Sequence, residues 1–586
     1  MPAGMGSTAI ASTRQRPATT RRGGSPRSTA IDQLSSRGEQ VLPWMAVKHG
    51  YVHGSLATNA YDVTEQPHMN EPDMAHNDID LDPDLRAHLQ PGDSVTSVRH
   101  LASRFRKPPL SAARALLLLG RVDRLEDLGE AGPLHAATTA DSPVDADPEL
   151  RKFEAVFGRD ALRVNDFIGS RFPRLRRVTL NALAEAQGVE YDEAREEEPG
   201  KIVHEWRDAA DPVARDITAR NGWGWPYYGA VDTTPLYIIA LASFIKDHAA
   251  AATTIVNRRD RPSLTLAESL ADAITWLVQH LDRDPDGLLA FRRLNPRGIE
   301  NQTWRDSWDS LSHADGTLPN HDQPVATLDL QALSYDALAA AAAHIRSNES
   351  HRPYPPSELE ERARQLRKSV MERFWIQANS GSYFAAAIEF TPSNQERRPL
   401  RSRISDMGHL LTSHILDGDD VRECRHAVVR QLFSPGLLCS AGIRSLHSEE
   451  ARYWPGGYHT GTAWLWQSLH IANGLERHGF VHLAVELRNR CDGIHRHTGL
   501  FPEFARGDDD SRSVLNDRIV DIWQDADNRN NRLEQPPQEV QAWTAAGHYA
   551  MEERAREQAH KHGPETSSLE LDILETIRDR MGRPHG

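Results

Sequence analysis

The 586-residue sequence predicts an all-α protein in which helical hairpins stand in a ring around a cleft made by their connecting loops. From about residue 148 onward, apolar residues recur at helical spacing in about a dozen long segments, while strand signals are few and short. The connections run to about 10–40 residues, far longer than the turns of a four-helix bundle. No pattern repeats at a fixed period of ~30–50 residues, which disfavours a helical solenoid.

Taken in order, residues 1–42 are rich in Ser, Thr, Arg, Gly and Pro and nearly devoid of large apolar side chains. Such a segment cannot offset its ordering entropy, so a disordered tail is expected. Its Arg/Ser bias resembles a transit peptide, but it has neither an amphipathic pattern nor an apolar secretory stretch. Residues 43–147 read as a small mixed region: alternation over 44–61 suggests short strands, an acidic loop follows to 93, and 111–129 reads as a helix. The ring is expected over 148–560, with helices at 161–170, 174–186, 235–248, 264–282, 323–347, 356–375, 409–415, 420–432, 460–478, 481–493 and 541–559, then a helical tail over 561–586. Residues 335–345 show the type: their alanines carry the best helix propensity and let helices approach closely.

Composition narrows the partners. Lys+Arg 68 against Asp+Glu 83 gives a net charge of −15, so there is no basic footprint for neutralising phosphates, and nucleic acid is not an expected partner. Three cysteines (Cys424, Cys439, Cys491) without CxxC spacing argue against a disulfide framework or a zinc ribbon, and a reduced, cytoplasmic setting fits best. No run approaches the ~18 apolar residues of a membrane span, so a soluble protein is expected. The 28 histidines are scattered without metal-ligand spacing and read mostly as surface or loop residues; no metal and no cofactor is expected. Thirteen tryptophans nearly equal the 12 tyrosines and 14 phenylalanines, and they cluster at 223–225, 304–308 and 454–466.

Five loop segments carry candidate chemistry. In the first, Phe157-Gly158-Arg159-Asp160, the Asp reads equally as a helix cap. In the second, residues 196–207, the Glu196–Glu198 run reads as a solvated face, whereas His204, Glu205 and Arg207 are plausible ligands for hydroxyl groups. The third, residues 221–238, holds five aromatics and three glycines, suited either to a core plug or to stacking on a sugar, with Asp232 a candidate cap ahead of Pro235. In the fourth, residues 298–310, Asp306 and Asp309 stand among tryptophans, and a carboxyl packed on an indole loses hydration and gains a raised pKa, as a general acid requires. In the fifth, residues 499–507, Glu503 is the sole acid in an apolar stretch; an ion pair to Arg506 is the competing account. Two carboxylates about 200 residues apart fit acid/base hydrolysis of a glycosidic bond. HExxH, a P-loop, GxSxG and GxGxxG before a helix are absent.

Together these segments resemble the amylo-alpha-1,6-glucosidase, or glycogen-debranching-like, glycosidases. The resemblance is carried in order over roughly residues 150–550 by Phe-Gly-Arg-Asp at 157–160, the 197–205 segment, Tyr-Tyr-Gly-Ala-Val-Asp-Thr-Thr-Pro at 227–235, Asn-Gln-Thr-Trp-Arg-Asp-Ser-Trp-Asp-Ser at 301–310, Tyr-Phe-Ala-Ala-Ala-Ile at 383–388, Ser-Asp-Met-Gly-His-Leu-Leu at 405–411, Gly-Ile-Arg-Ser-Leu at 442–446, residues 453–466 and Leu-Phe-Pro-Glu-Phe at 500–504. It implies an (α/α)6 toroid, a six-hairpin glycosidase, and an inverting mechanism with Asp306 as general acid and Glu503 as general base. It further implies that Arg159, Asp160, His204, Glu205, Asp232, Asp309 and His459 bind the sugar beside the scissile bond, with Trp225, Trp304 and Trp464 as stacking platforms. The expected activity is exo-acting hydrolysis of an α-linked glucoside or small α-glucan. Trehalase, sucrose-cleaving or mannosylglycerate-type hydrolysis on the same fold, or an idle carbohydrate-binding protein, are the alternatives. The family's β-rich N-terminal domain is not legible in 43–147, and no second glucanotransferase domain is expected.

Overall fold

The computed structural model describes residues 109–139, 153–258, 261–347, 353–379, 381–391, 396–508, 537–558 and 566–581. The expected tail over 1–42, the strands over 44–61 and the acidic loop to 93 lie outside the described residues. Among those described are fourteen α-helices: α1 (Ala112–Gly120), α2 (Gly158–Ile168), α3 (Pro173–Glu185), α4 (Pro212–Asn221), α5 (Thr233–Asp247), α6 (Leu266–Leu281), α7 (Leu328–Ser347), α8 (Pro356–Arg373), α9 (His409–Thr412), α10 (Arg422–Leu432), α11 (Leu465–Arg477), α12 (Val481–Thr498), α13 (Ala542–Gln558) and α14 (Ser568–Met581).

Six helices close a ring. Helix α2 packs on α5, α5 on α7, α7 on α9, α9 on α11, α11 on α13, and α13 back on α2. Outside them, α3 lies against α2 and α5, α6 against α5, α8 against α7, α12 against α11 and α1 against α13, while α10 packs on the 3-10 turn Ser405–Gly408 that leads into α9. This is the (α/α)6 toroid. Its outer layer is completed by α1, from the region expected to be separate, and α14 sits against α12, where Glu570 accepts from the Leu483 amide at 2.9 Å.

Several inner helices are entered from a very short strand: Val156–Phe157 before α2, Val325–Thr327 before α7, Ala463–Trp464 before α11 and Val540–Gln541 before α13. These pair with Glu205–Trp206, Ala387–Phe390, Phe504–Ala505 and Ala137–Thr138 respectively. Helices expected from 323 and 460 therefore start later, because their apolar leading residues are pinned to a neighbouring loop before the chain turns helical. The expected helix over 111–129 stops at Gly120, where Arg121 turns left-handed at φ 52°. Helix α4 was not anticipated in the sequence, although Asp211 caps it by accepting from the Val213 amide, Pro212 occupies its first turn and Gly222 ends it at φ 65°.

One expectation about charge is overturned. The run Glu196–Glu198 is buried, not solvated. Glu196, held at φ 58°, accepts from the amides of Leu294 and Asn295 and from Gln302; Glu197 accepts from the Val189 amide and pairs with Arg195 and Arg261; Glu198 meets His280 and Arg283. Three adjacent carboxylates thus clamp distant loops, and the burial cost is met by multiple donors to each. Most of the described histidines do lie at the surface or in loops, but nine are buried, among them His409 and His470 on inner helices, whose ring centroids are 5.4 Å apart.

Candidate active site

At the entry ends of the inner helices the loops bring acids together. Asp160 lies in the first turn of α2, where Phe157, not Asp160, is the cap residue. Asp232 caps the start of α5 by position, but its carboxylate makes no capping bond to that helix's amides; it accepts from Arg159 Nε at 2.6 Å and more weakly from the Thr233 hydroxyl at 3.4 Å. The Arg159 guanidinium also donates from Nη1 to Asp306 at 3.3 Å, so one buried cation joins α2, α5 and the Asp306 loop. Its Nη2 is buried without a hydrogen-bond partner, a donor left for an incoming group.

Glu503, 4 % exposed, sits on the loop preceding Phe504–Ala505. Tyr458 donates its hydroxyl to Glu503 Oε1 at 2.8 Å, and the Gln538 amide approaches Oε2 at 3.4 Å. Arg506 pairs with Asp508, so the competing Glu503–Arg506 ion pair is not formed. Burial pushes the Glu503 carboxyl up to about 7, against the Tyr458 hydrogen bond that favours its charged form, with the Asp306 charge adding to the rise. Asp160 is pushed up to about 8 by burial, opposed by Arg159 and assisted by the charges of Asp306 and Glu503. These mutual influences put Asp160, Asp306 and Glu503 in one electrostatic neighbourhood, to which the Tyr458 phenol also belongs.

Asp309 and His459 meet through Ser307. Its hydroxyl donates to Asp309 at 3.2 Å and lies 2.8 Å from His459 Nδ1, which leaves that nitrogen as the donor in the second bond. Arg452 stands 3.8 Å from Asp309. His204 and Glu205 are buried on the ladder beside α2, where Glu205 is hydrogen-bonded by Arg207 and the His204 ring meets Phe157 edge-on.

The tryptophans are placed differently from expectation. Trp304 and Trp464 are core residues, 2 % and 1 % exposed, packed edge-to-face on each other, with His459 stacked on Trp464 and His409 on Trp304. They support the cleft loops from beneath and present no open face for stacking. Trp225 is half-buried but lines a separate cavity with Trp206, Pro226 and Tyr228. The reason is local: its Nε1 donates to the Ala214 carbonyl and Thr218 Oγ1, fastening it to the unanticipated α4.

Residues that sequence reasoning did not single out complete the site. Tyr458 orients Glu503. Arg305, fully buried beside Asp306, donates to Asp406 (2.8 Å), Ser405 Oγ (2.8 Å) and the carbonyls of His459 (2.9 Å) and Ser445 (2.6 Å). Asp406 also accepts from Trp304 and Gln467, and burial together with the charge of Asp406 pushes Asp329 up to about 7. Arg305, Asp406 and Tyr458 all stood inside quoted motifs; Asp329, in the first turn of α7, had no local signal. Among the described residues there is no cluster of three or more His, Cys, Asp or Glu suited to a metal, and no helix long and apolar enough to cross a membrane.

No protein-family model and no curated protein matches the chain. Among solved structures it is similar to a GH63 mannosylglycerate hydrolase from Thermus thermophilus in complex with Tris and D-glycerate, at TM-score 0.48 and 15% identity over 76% of this chain and 100% of that one. The same enzyme in complex with glucose gives TM-score 0.46 and 12% identity over 76% and 100%. An uncharacterized conserved protein from Thermus thermophilus gives TM-score 0.43 and 13% identity over 75% and 98%.

Proposed function

We propose that this chain is an inverting, exo-acting glycoside hydrolase for an α-linked glucoside or small α-glucan, with Asp306 as general acid and Glu503 as general base. The observation that carries the reading is the meeting of two carboxylates from loops about 200 residues apart in one neighbourhood, one bridged by Arg159 and the other held by Tyr458. Enclosed Glu503, with a pKa near 7, accepts a proton from water more readily than an ordinary carboxylate. Asp306 keeps its side chain 12 % exposed, which suits an acid that must reach a leaving oxygen. Arg159, Asp160, His204, Glu205, Asp232, Asp309 and His459 supply charged and neutral partners for the hydroxyls of one sugar ring. The α-glucoside preference itself rests on the motif resemblance.

One observation favours a second reading in which the roles are exchanged. Burial raises Glu503 to about 7, so that it retains a proton near neutrality, as a general acid must. An activated substrate decides between them. Asp306→Asn and Glu503→Gln are each expected to lower turnover of a natural glycoside by at least ~10²-fold. With an α-glucosyl fluoride, whose leaving group needs no proton, the acid variant should regain turnover and the base variant should not. Recovery in Asp306→Asn supports the primary assignment, and recovery in Glu503→Gln reverses it. Screening maltose, isomaltose, trehalose, sucrose, mannosylglycerate and limit dextrin, with the product anomer followed by NMR, tests substrate and inversion together. A product of retained configuration defeats the inverting mechanism, and no turnover on any of them leaves a binding protein.

A further inference from the structure

Behind the ladder formed by Val156–Phe157 and Glu205–Trp206 lies a cavity of about 390 Å³. That volume falls within the ~300–1,000 Å³ common for small-molecule sites. The register pairs Val156 with Trp206 and Phe157 with Glu205, and side chains alternate between the faces of a strand. Val156 and Trp206 accordingly line the cavity, while Phe157 and Glu205 lie on the other face.

The walls combine aromatic carbon faces with oxygen acceptors. Trp206 and Trp225 are both half-buried, and the polar edge of Trp225 is already committed to Ala214 and Thr218, which leaves its carbon faces for a ligand. Trp223 braces that indole edge-on, with ring centroids 6.4 Å apart. Glu185, in the last turn of α3, also borders the cavity; it is half-buried and forms no ion pair among the described residues. Burial raises its pKa, in accord with a carboxyl that lacks a compensating cation.

The charges argue against an anionic ligand. Three guanidinium groups (Arg195, Arg207, Arg261) and three carboxylates (Glu154, Glu185, Asp208) line the walls. Arg195 and Arg261 are engaged by the buried Glu197, Arg207 by Glu205, and Glu154 by Arg121. Every guanidinium of the lining is thus engaged by a carboxylate, which leaves no spare cation for an anionic ligand. What remains is a pair of indoles beside the half-buried Glu185, with the exposed Asp208 also outside any ion pair among the described residues, which suits a neutral polyol ring: its C–H face packs on the indole while its hydroxyls donate to oxygen.

We propose that this cavity is a second carbohydrate-binding site, taking a neutral pyranose against Trp225 and Trp206 with hydroxyls donated to Glu185. It is distinct from the neighbourhood of Asp306 and Glu503 and does not depend on hydrolysis there. The test uses the full-length Glu503→Gln protein, so that sugar survives, titrated calorimetrically with maltose and isomaltose. Glu185→Ala and, separately, Trp206→Ala are added in that background, with thermal melting to verify folding. One binding event should weaken at least ~10-fold in both added variants, and crystals soaked with maltose should show a ring over Trp225. Binding unaffected by either change, sugar only beside Asp306, or no binding of either sugar overturns the proposal. Failure of the hydrolytic reading is separable: it appears as no turnover in the unmodified enzyme and leaves the Glu185-sensitive event intact.

Discussion

Glu503 illustrates how one side chain's surroundings set its chemistry. Enclosure raises its pKa to about 7, while the hydroxyl of Tyr458 works in the opposite direction by donating to the carboxylate. As a base, Glu503 must be ionised, so kcat/KM is expected to fall as pH drops through about 7. Tyr458→Phe removes a hydrogen bond to a charged acceptor, worth ~1.5–3 kcal/mol, and should move that acidic limb upward by roughly one pH unit. A pH–rate profile of the variant checks this. An unmoved limb would mean that the phenol does not tune the base. The glutamate's importance was legible because it is the sole acid in an apolar loop, whereas its partner lies 45 positions away and only the fold brings them together.

At the scale of elements, the cleft depends on backbone approaches that leave no room for side chains. A Cβ on Gly158 would stand 2.2 Å from the Val203 carbonyl oxygen and 2.7 Å from Thr233 Cγ2, at the junction of α2 with the loop before Glu205 and with α5. Since the nearest obstacle is backbone, Gly158→Ala should separate these elements and displace Arg159 from Asp232, lowering both melting temperature and kcat; a wild-type melt would contradict it. Arg305 does related work between loops. Its guanidinium ties the Asp306 loop to Ser405, Asp406, Ser445 and His459, a geometry that the single ammonium of lysine cannot reproduce. Arg305→Lys is expected to lower kcat by ~10-fold or more with a smaller change in KM, since a displaced Asp306 is mispositioned for transfer while the other sugar-binding groups remain. An effect confined to KM would argue against positioning. The helices themselves were readable from apolar spacing. Their starting points were not, because Val325–Thr327 and Ala463–Trp464 pair with strands distant in sequence, and the Glu196–Glu198 clamp is invisible until Leu294 and Asn295 arrive opposite it.

Over the whole molecule, ring closure gathers the entry ends of α2, α5 and α7, and with them Asp160 and Asp329 in the first turns of α2 and α7 and Asp232 just ahead of α5. Desolvation there carries a stability cost. Asp160 and Asp329 are raised to about 8 and about 7, and Glu503 to about 7, all above their values in an unfolded chain. A carboxyl whose folded pKa is raised binds a proton in the folded state that the unfolded state has released. For Asp160 that window runs from its ordinary value of 3.8 to about 8, and stability contributed by the protonated form is lost as pH rises through it. Its ionisation therefore opposes folding at neutral pH by on the order of a few kcal/mol. Asp160→Asn removes the charge while keeping the shape. We expect it to melt above the wild type at pH 8, with the gap narrowing toward pH 5, even as sugar turnover declines. If the variant melts below the wild type at pH 8, or if the gap does not change with pH, then Asp160 is stabilising as a carboxylate through Arg159, and the cost must be assigned to Asp329 and Glu503 instead.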